Sequence, residues 1–75
     1  MSEQIKKLGE KIKQIRLTKQ VSLRDLAKHT GLTRSFLSQV ERGICAPSIA
    51  SMEKIARALN TGLSYFFKED FPQKF

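Results

Sequence analysis

The sequence has few of the residues that cross-link small domains. Its 75 residues include one cysteine, Cys45, and one histidine, His29. A single cysteine forms no disulfide within the chain, and these two residues are too few for a structural zinc site. The protein therefore has to be stabilised by one small hydrophobic core. We expect Cys45 to be an unreactive packing residue in a reducing compartment.

Long hydrophobic runs are also missing. No stretch of 18 residues is apolar throughout, so the sequence predicts no transmembrane helix. The N-terminal segment, MSEQIKKLGEKIK, is charged throughout and lacks the apolar region of a signal peptide. Binding to a membrane surface is disfavoured too, because the lysine-rich first helix comes without any tryptophan. We expect a cytoplasmic protein that does not bind membranes.

Groups that could carry out catalysis are scarce. His29 has no paired carboxylates near it, and the sequence contains no glycine-rich phosphate-binding loop. We therefore predict that the protein is not an enzyme and that it has no cofactor and no metal. His29 itself is expected to be exposed to solvent or to lie near a phosphate.

Negative charge is scarce relative to positive charge. The chain has 14 Lys and Arg residues against seven Asp and Glu residues, for a net charge of +7. Residues 1–42 contain ten of the bases and four of the acids, whereas residues 43–75 contain four bases and three acids. This asymmetry favours a face that binds a polyanion, although a basic composition also serves solubility alone.

Helical periodicity is present almost everywhere, and no alternating run of four or more residues indicates a strand. A first helix of about 14 residues is predicted from apolar residues at i, i+3, i+7 and i+10. These residues are Ile5, Leu8, Ile12 and Ile15. A second helix is expected between an N-cap at Ser22 and a C-terminal cap at Gly31.

The third helix is predicted to begin after an N-cap at Thr33 and to end at Gly43. Pro47 prevents Ala46 from continuing a helix, and Ser48 is the expected N-cap of a fourth helix. The predicted apolar stripe of that helix comprises Ile49, Met52, Ile55, Ala56 and Leu59. A short fifth helix is expected around Leu63, Tyr65, Phe66 and Phe67.

The second and third helices have the spacing of a helix-turn-helix. Ala27 is a small residue where the helices would cross, Gly31 lies in the turn, and Leu37 and Val40 are aliphatic anchors on the second of the two helices. An ordinary αα-hairpin within a helical bundle is the alternative interpretation.

The third helix has a polar face of unusual composition. At about 100° per residue, its polar side chains centre on about 70° and its apolar ones on about 245°, with Arg34 at zero. The polar set is Arg34, Ser35, Ser38, Gln39 and Arg42, and the apolar set is Phe36, Leu37 and Val40. Phe36 is expected in the core rather than against a thymine methyl group.

The chemistry of this face suits DNA, because Arg forms paired hydrogen bonds with guanine and Gln does so with adenine. The five polar positions include no acid, whereas an ordinary solvated helix more often has Glu and Lys in i, i+4 pairs. Helix N-termini at Ser22, Thr33 and Ser48 offer N–H groups to phosphates. Additional positive charge comes from Lys19, Arg24, Lys28 and Arg42.

From Leu8 to Phe67 the sequence resembles the phage-repressor and Cro family of helix-turn-helix proteins, often called XRE-type. The matching segments are LGEKIKQIR, SLRDLAKHTGLTRSFLSQVERG, APSIASMEKIARALN and LSYFF. The resemblance implies an all-α fold, a compact five-helix bundle of the lambda-repressor-like type. Its helix-turn-helix is formed by helices 2 and 3, and the third helix, Thr33 to Arg42, is the recognition helix.

The resemblance also implies roles for individual residues. Base edges are contacted from Thr33, Arg34, Ser35 and Gln39, with which we group Ser38, although its role stays open between bases and backbone. Phosphates are approached from Ser22, Leu23, Arg42 and Ser48, to which we add Lys19 and Arg24. At Leu23 only the backbone N–H can serve. Arg16 and Glu41 match a family pair that bridges the first and third helices.

The function that the resemblance implies is sequence-specific binding of double-stranded DNA by a transcriptional regulator. Such modules act as homodimers on two-fold-symmetric operators, because one module makes too few contacts. An antitoxin or interaction module that binds DNA and a partner protein is the alternative. We expect the DNA-binding domain to span residues 1–69. Residues 70–75 are expected to form a tail, or a linker to an additional sensor domain.

Overall fold

The computed structural model of the protein describes residues 3–68, so the expected tail at 70–75 lies outside the described residues. Helix α1 spans Glu3–Thr18 and α2 spans Leu23–Thr30. Helix α3 spans Arg34–Glu41 and α4 spans Ile49–Ala58. A single helical turn, α5, spans Tyr65–Lys68. Every regular element within residues 3–68 is helical, which confirms the predicted all-α class.

Three helices begin at the hydroxyl residues that the sequence predicted as N-caps. Each cap has an extended backbone, and its side-chain oxygen accepts a hydrogen bond from the backbone N–H three residues further on. The nitrogen–oxygen distances are 3.0 Å at Ser22, 3.0 Å at Thr33 and 3.1 Å at Ser48. Each cap satisfies one of the donors that a helix N-terminus leaves unpaired.

The turn between α2 and α3 is closed by local hydrogen bonds. Gly31 has a φ of 76°, as predicted for a left-handed cap, and its N–H donates to the carbonyl of Ala27 at 2.9 Å. The buried hydroxyl of Thr30 donates to the carbonyl of Leu26 at 2.8 Å and accepts from the N–H of Leu32 at 3.2 Å. Two N–H groups of this turn and the hydroxyl of Thr30 are therefore satisfied by partners within the turn or in α2.

One hydrophobic core is formed by side chains of all five elements. Its fully buried members are Ile12, Leu26, Leu37, Val40, Met52, Ile55, Ala56, Leu59 and Phe66. Phe36 and Cys45 are partly buried and pack against this cluster, in agreement with the packing roles expected for them. Helix α1 packs beside α3 and α5, and α2 packs beside α3 and α4. The third helix is therefore held between the first and the second.

The prediction for Ile49 is wrong. It was expected in the buried stripe of α4, yet 62% of it is exposed. Ile49 is the first residue of the helix, and on the wheel it lies about 70° from the centre of the four buried positions, at the edge of the stripe. The other four expected members of that stripe are buried.

Two helices are followed by left-handed residues that are not glycine. Gln20 has a φ of 60° after α1, and Asn60 has a φ of 58° after α4. Asparagine adopts this conformation more readily than most residues, so Asn60 suits the left-handed position after α4. None of the helices in residues 3–68 is both long and apolar enough to cross a membrane.

Candidate nucleic-acid interface

The third helix presents its predicted polar face to solvent. Arg34, Ser35, Gln39 and Arg42 are exposed, whereas Ser38 is half-buried. On the opposite side, Leu37 and Val40 are each 1% exposed and anchor the helix in the core. The apolar side thus fixes the helix on the protein, and most of the polar side is accessible from solvent.

An open depression lies between the beginnings of α2 and α3. It is lined by Ser22, Arg24, Asp25, Ala27, Lys28, Gly31, Leu32, Thr33 and Arg34. Two residues predicted to contact phosphates, Ser22 and Arg24, are thereby brought together with Thr33 and Arg34, which are predicted to contact bases. Three cations line this surface against one acid, Asp25, so it has a positive excess.

The N-termini of α2 and α3 both lie at this depression. Ser22 and Thr33 both line it, and each begins a helix of eight residues. The first N–H groups of a helix point towards its N-terminus and have the positive end of the helix dipole behind them, an arrangement that binds phosphate. The side chain of Leu23 is packed against the core, which leaves its backbone as the part that can face a phosphate.

The remaining residues predicted to contact phosphates lie outside this depression. Ser48 is exposed at the beginning of α4, and Arg42 is exposed at the end of α3. Lys19 is exposed after α1, in a separate cleft that also contains Thr18, Asn60 and Tyr65. The structure therefore distributes the predicted phosphate contacts over the ends of four helices.

Arg16 and Glu41 join the first helix to the third. The Nε of Arg16 donates to Oε2 of Glu41 at 2.7 Å, and its Nη2 donates to Oε1 at 3.0 Å. A third donor, Nη1, bonds the carbonyl of Val21 at 2.9 Å in the segment before α2. Arg16 is 7% exposed and Glu41 is 8% exposed. The guanidinium of Arg16 therefore links α1 to the segment before α2 and to the end of α3.

Sequence reasoning missed two buried residues of α1. Gly9 lies against the backbone of α3, and a glycine that interrupts a helical pattern is a signal of such close approach. The Nζ of Lys11 donates to the carbonyl of Tyr65 at 3.4 Å and lies 5.1 Å from the centre of the Tyr65 ring. Nothing in the spacing of Lys11 distinguishes it from the other lysines of α1.

His29 is exposed, as expected, and its Nδ1 lies 2.8 Å from the carbonyl of Asp25. Among residues 3–68, no group of three His, Cys, Asp or Glu side chains lies close enough together to bind a metal ion.

A family model described as helix-turn-helix matches residues 12–66. That match covers most of the chain, so the chain belongs to this helix-turn-helix family, as its resemblance to XRE-type proteins predicted. The transcriptional regulator SinR from Bacillus subtilis is 36% identical over 63 residues, which make up 83% of this chain. An uncharacterised regulator of this type from Mycobacterium tuberculosis is 39% identical over 59 residues, or 79% of the chain.

The chain spans 57% of the length of SinR and 42% of the length of the Mycobacterium regulator. Two solved structures are similar to it. The restriction-modification controller protein C.AhdI from Aeromonas hydrophila has a TM-score of 0.82 at 33% identity, covering 84% of this chain and 96% of its own. SinR in complex with DNA has a TM-score of 0.77 at 35% identity, covering 81% of this chain and 98% of its own.

Proposed function

We propose that the protein is a transcriptional regulator that binds double-stranded DNA sequence-specifically by placing α3 in the major groove. The observation that carries the proposal is the exposed face of α3, which presents Arg34, Ser35 and Gln39 beside the open N-termini of two helices. A major groove about 12 Å wide admits an α-helix, and it displays the base edges that Arg and Gln recognise.

The proposed contacts fall into two sets. Base edges are contacted by Thr33, Arg34, Ser35, Gln39 and Ser38. Phosphates are contacted by Lys19, Ser22, Leu23, Arg24, Arg42 and Ser48. The first set chooses the sequence, whereas the second sets the register and affinity without choosing it. Support for this division is that the first set lies on α3 and its cap, and that most of the second set lies at helix ends around it.

We also propose that α5 completes a five-helix bundle of the repressor type. Phe66 in this turn is 3% exposed and belongs to the core, and Lys11 of α1 bonds the carbonyl of Tyr65. On that basis, residues 1–69 form one DNA-binding domain. Residues 70–75 are proposed as a tail or as the beginning of a linker to a further domain.

The proposed partner is an operator with two-fold symmetry that is bound by a homodimer of the protein. SinR, a relative with the same fold, has been crystallised with DNA. A second candidate function, binding of a partner protein by the same domain, is favoured by one observation. Ile44, in the segment between α3 and α4, is 50% exposed, and Ile49, the first residue of α4, is 62% exposed. Exposed apolar residues of this kind are typical of protein interfaces when they form a patch.

Selection of binding sites from random duplexes tests the proposal. We expect enrichment of a two-fold-symmetric sequence with half-sites about 10 bp apart, the spacing of one helical turn. An asymmetric selected site would contradict the homodimer. If no sequence is enriched at any salt concentration, sequence-specific binding is wrong and the partner-protein function is favoured.

A further inference from the structure

Gly9 lies where the first helix comes closest to the end of the third. It is buried, and a Cβ atom added to it would overlap the carbonyl oxygen of Val40 and lie 2.7 Å from that of Glu41. Non-bonded heavy atoms are at their optimum about 3.5–4.0 Å apart. The backbones of α1 and α3 therefore touch here, with no room for any side chain.

Gly43 belongs to the same contact from the other side. It is buried with a φ of 76°, and its added Cβ would lie 2.7 Å from Cγ of Lys6 and 3.0 Å from its Cα. Lys6 and Gly9 are three residues apart on α1, so they lie on one face of that helix. Two glycines thus allow this face of α1 to meet the backbone at the C-terminal end of α3.

We propose that Gly9 is a positioning residue for base recognition, because it fixes how far the C-terminal half of α3 projects from the protein. Gly9 is buried and acts through α3, by setting the distance between two helix backbones. The inference rests on the proposed function, since it concerns how the recognition helix is held in the major groove.

An alanine at position 9 requires a larger shift than a base contact tolerates. The obstructing atoms are backbone carbonyl oxygens, which cannot rotate away as a flexible side chain does. The separation between the added Cβ and the carbonyl oxygen of Val40 has to widen by about 1 Å to approach ordinary contact. Donor–acceptor distances of N–H···O hydrogen bonds span only about 0.5 Å, so a shift of this size breaks contacts with bases.

The displacement that Gly9→Ala causes is expected to differ along the third helix. Gln39 is adjacent to Val40, where the added methyl group pushes. Arg34 is about 9 Å further along the helix axis, next to the hydrogen-bonded turn that ties α3 to α2. We therefore expect the base contact of Gln39 to be lost while that of Arg34 persists.

Double-mutant cycles on the selected duplex separate this role from a loss of stability. The Kd is measured by fluorescence anisotropy for the parent, Gly9→Ala, Gln39→Ala and the double variant, at fixed salt and at a temperature where all are folded. We expect Gly9→Ala to weaken binding about tenfold, the scale of one lost base contact. Adding Gln39→Ala then weakens it less than about twofold further, because the contact is already absent.

Arg34→Ala provides the matched second cycle. We expect it to weaken binding by the same factor with glycine or alanine at position 9, because the two sites are independent. Gly62→Ala is the control for adding a methyl group to a glycine, since its added Cβ has Ser64 Oγ at 3.9 Å as its nearest neighbour. Gly62→Ala is expected to bind like the parent.

Gly43→Ala tests the same contact. The closest atom to its added Cβ is Cγ of Lys6, which can rotate away, and the backbone Cα of Lys6 at 3.0 Å has to give by only a few tenths of an ångström, so the variant is expected to fold. Its stability control is Gly31→Ala, which has the same φ of 76° and no atom within 4 Å of the added Cβ. We expect Gly43→Ala to melt at a lower temperature than Gly31→Ala. In the Gly43→Ala background, too, we expect Gln39→Ala to weaken binding less than about twofold, whereas Arg34→Ala should weaken it by its full factor.

The outcomes are distinct. If Gly9→Ala is folded and Gln39→Ala weakens binding equally in both backgrounds, Gly9 has only a structural role and the inference is overturned. If Gly9→Ala does not fold, Gly43→Ala decides by the same criterion. If the parent itself selects no duplex, the proposed function fails and this inference falls with it.

Discussion

Arg34 and Gln39 share the exposed side of α3 but lie near its opposite ends. They are five residues apart, which corresponds to about 7.5 Å along the helix axis. Successive base pairs are about 3.4 Å apart, so in the proposed complex the two side chains reach positions about two base pairs apart. Neither residue belongs to the core, so their substitution is expected to change recognition without a large change in folding.

Replacing Arg34 or Gln39 is expected to weaken binding to the selected site alone. Arg34→Ala or Gln39→Ala should cost about 1–3 kcal/mol there, the value of one paired contact with a base, and should spare non-specific affinity. Competition titrations with selected and scrambled duplexes measure both. Arg57→Ala, an exposed arginine in the last turn of α4, is the control and should bind like the parent. Parent-like discrimination by Arg34→Ala would rule out the assignment of α3.

The exposed cations at helix ends should affect all DNA alike. Lys19→Ala or Arg42→Ala removes one phosphate contact in the proposed complex. Each should therefore lower the magnitude of the slope of log K against log salt by about one unit, for selected and random duplexes equally. The measurement is a salt titration of Kd. An unchanged slope would show that the substituted residue does not contact a phosphate. Lys19 is the stricter test of the proposed contacts, because it lies in a separate cleft and not beside α3.

At the scale of the helix, Arg16 couples three segments through one side chain. Removing one partner of a buried ion pair costs about 3–5 kcal/mol, far above the ~0–1 kcal/mol of an exposed pair. We expect Arg16→Gln and Glu41→Gln each to lower the free energy of unfolding by more than 1 kcal/mol. Their double variant should lose less than the two single losses added together, because the partners interact directly.

Urea melts of the two single variants and the double variant measure this coupling. Lys13→Gln is the control, since it removes an exposed charge from the same helix. Additive losses would mean that the pair contributes no coupling energy, and that Glu41 does not hold Arg16 in place.

The helices differ in how well the sequence predicted them. Ser22, Thr33 and Ser48 were predicted as caps because capping depends on a few neighbouring residues. The exposure of Ile49 and the backbone contact of Gly9 depend on which helix packs nearby, and periodicity along one helix does not contain that information. Gln20 is a further case, because glutamine gives no local signal for a φ of 60°.

The candidate site was likewise predicted only in part, because some of its features depend on one helix and others on how two helices pack. The exposed face of α3 follows from periodicity within one helix. Which helix ends share the depression with Arg34 depends on the angle between α2 and α3, so the sequence did not separate Arg24, which lines it, from Lys19, which does not.

At the scale of the whole molecule, the proposed base-contacting surface of residues 3–68 is confined to α3 and its cap, and a surface of this size favours binding as a pair. In the proposed complex, one α3 of eight residues contacts only a few base pairs, so specific affinity requires a second copy on the neighbouring half-site. We expect two copies per selected duplex, and binding at least about tenfold weaker to a duplex with one half-site destroyed. Analytical ultracentrifugation of the complexes measures the stoichiometry. One copy on the intact site would contradict the homodimer.

The self-contained turn at Thr30 and Gly31 has a consequence for how binding preferences diversify. Its hydrogen bonds involve backbone groups and the hydroxyl of Thr30, with no part played by the side chains of Arg34, Ser35 or Gln39. Those three residues can therefore be substituted singly while the turn between α2 and α3 keeps its hydrogen bonds. In the proposed complex, evolution or protein engineering can therefore change the DNA sequence that is recognised by substituting these residues, with no compensating substitution in the turn.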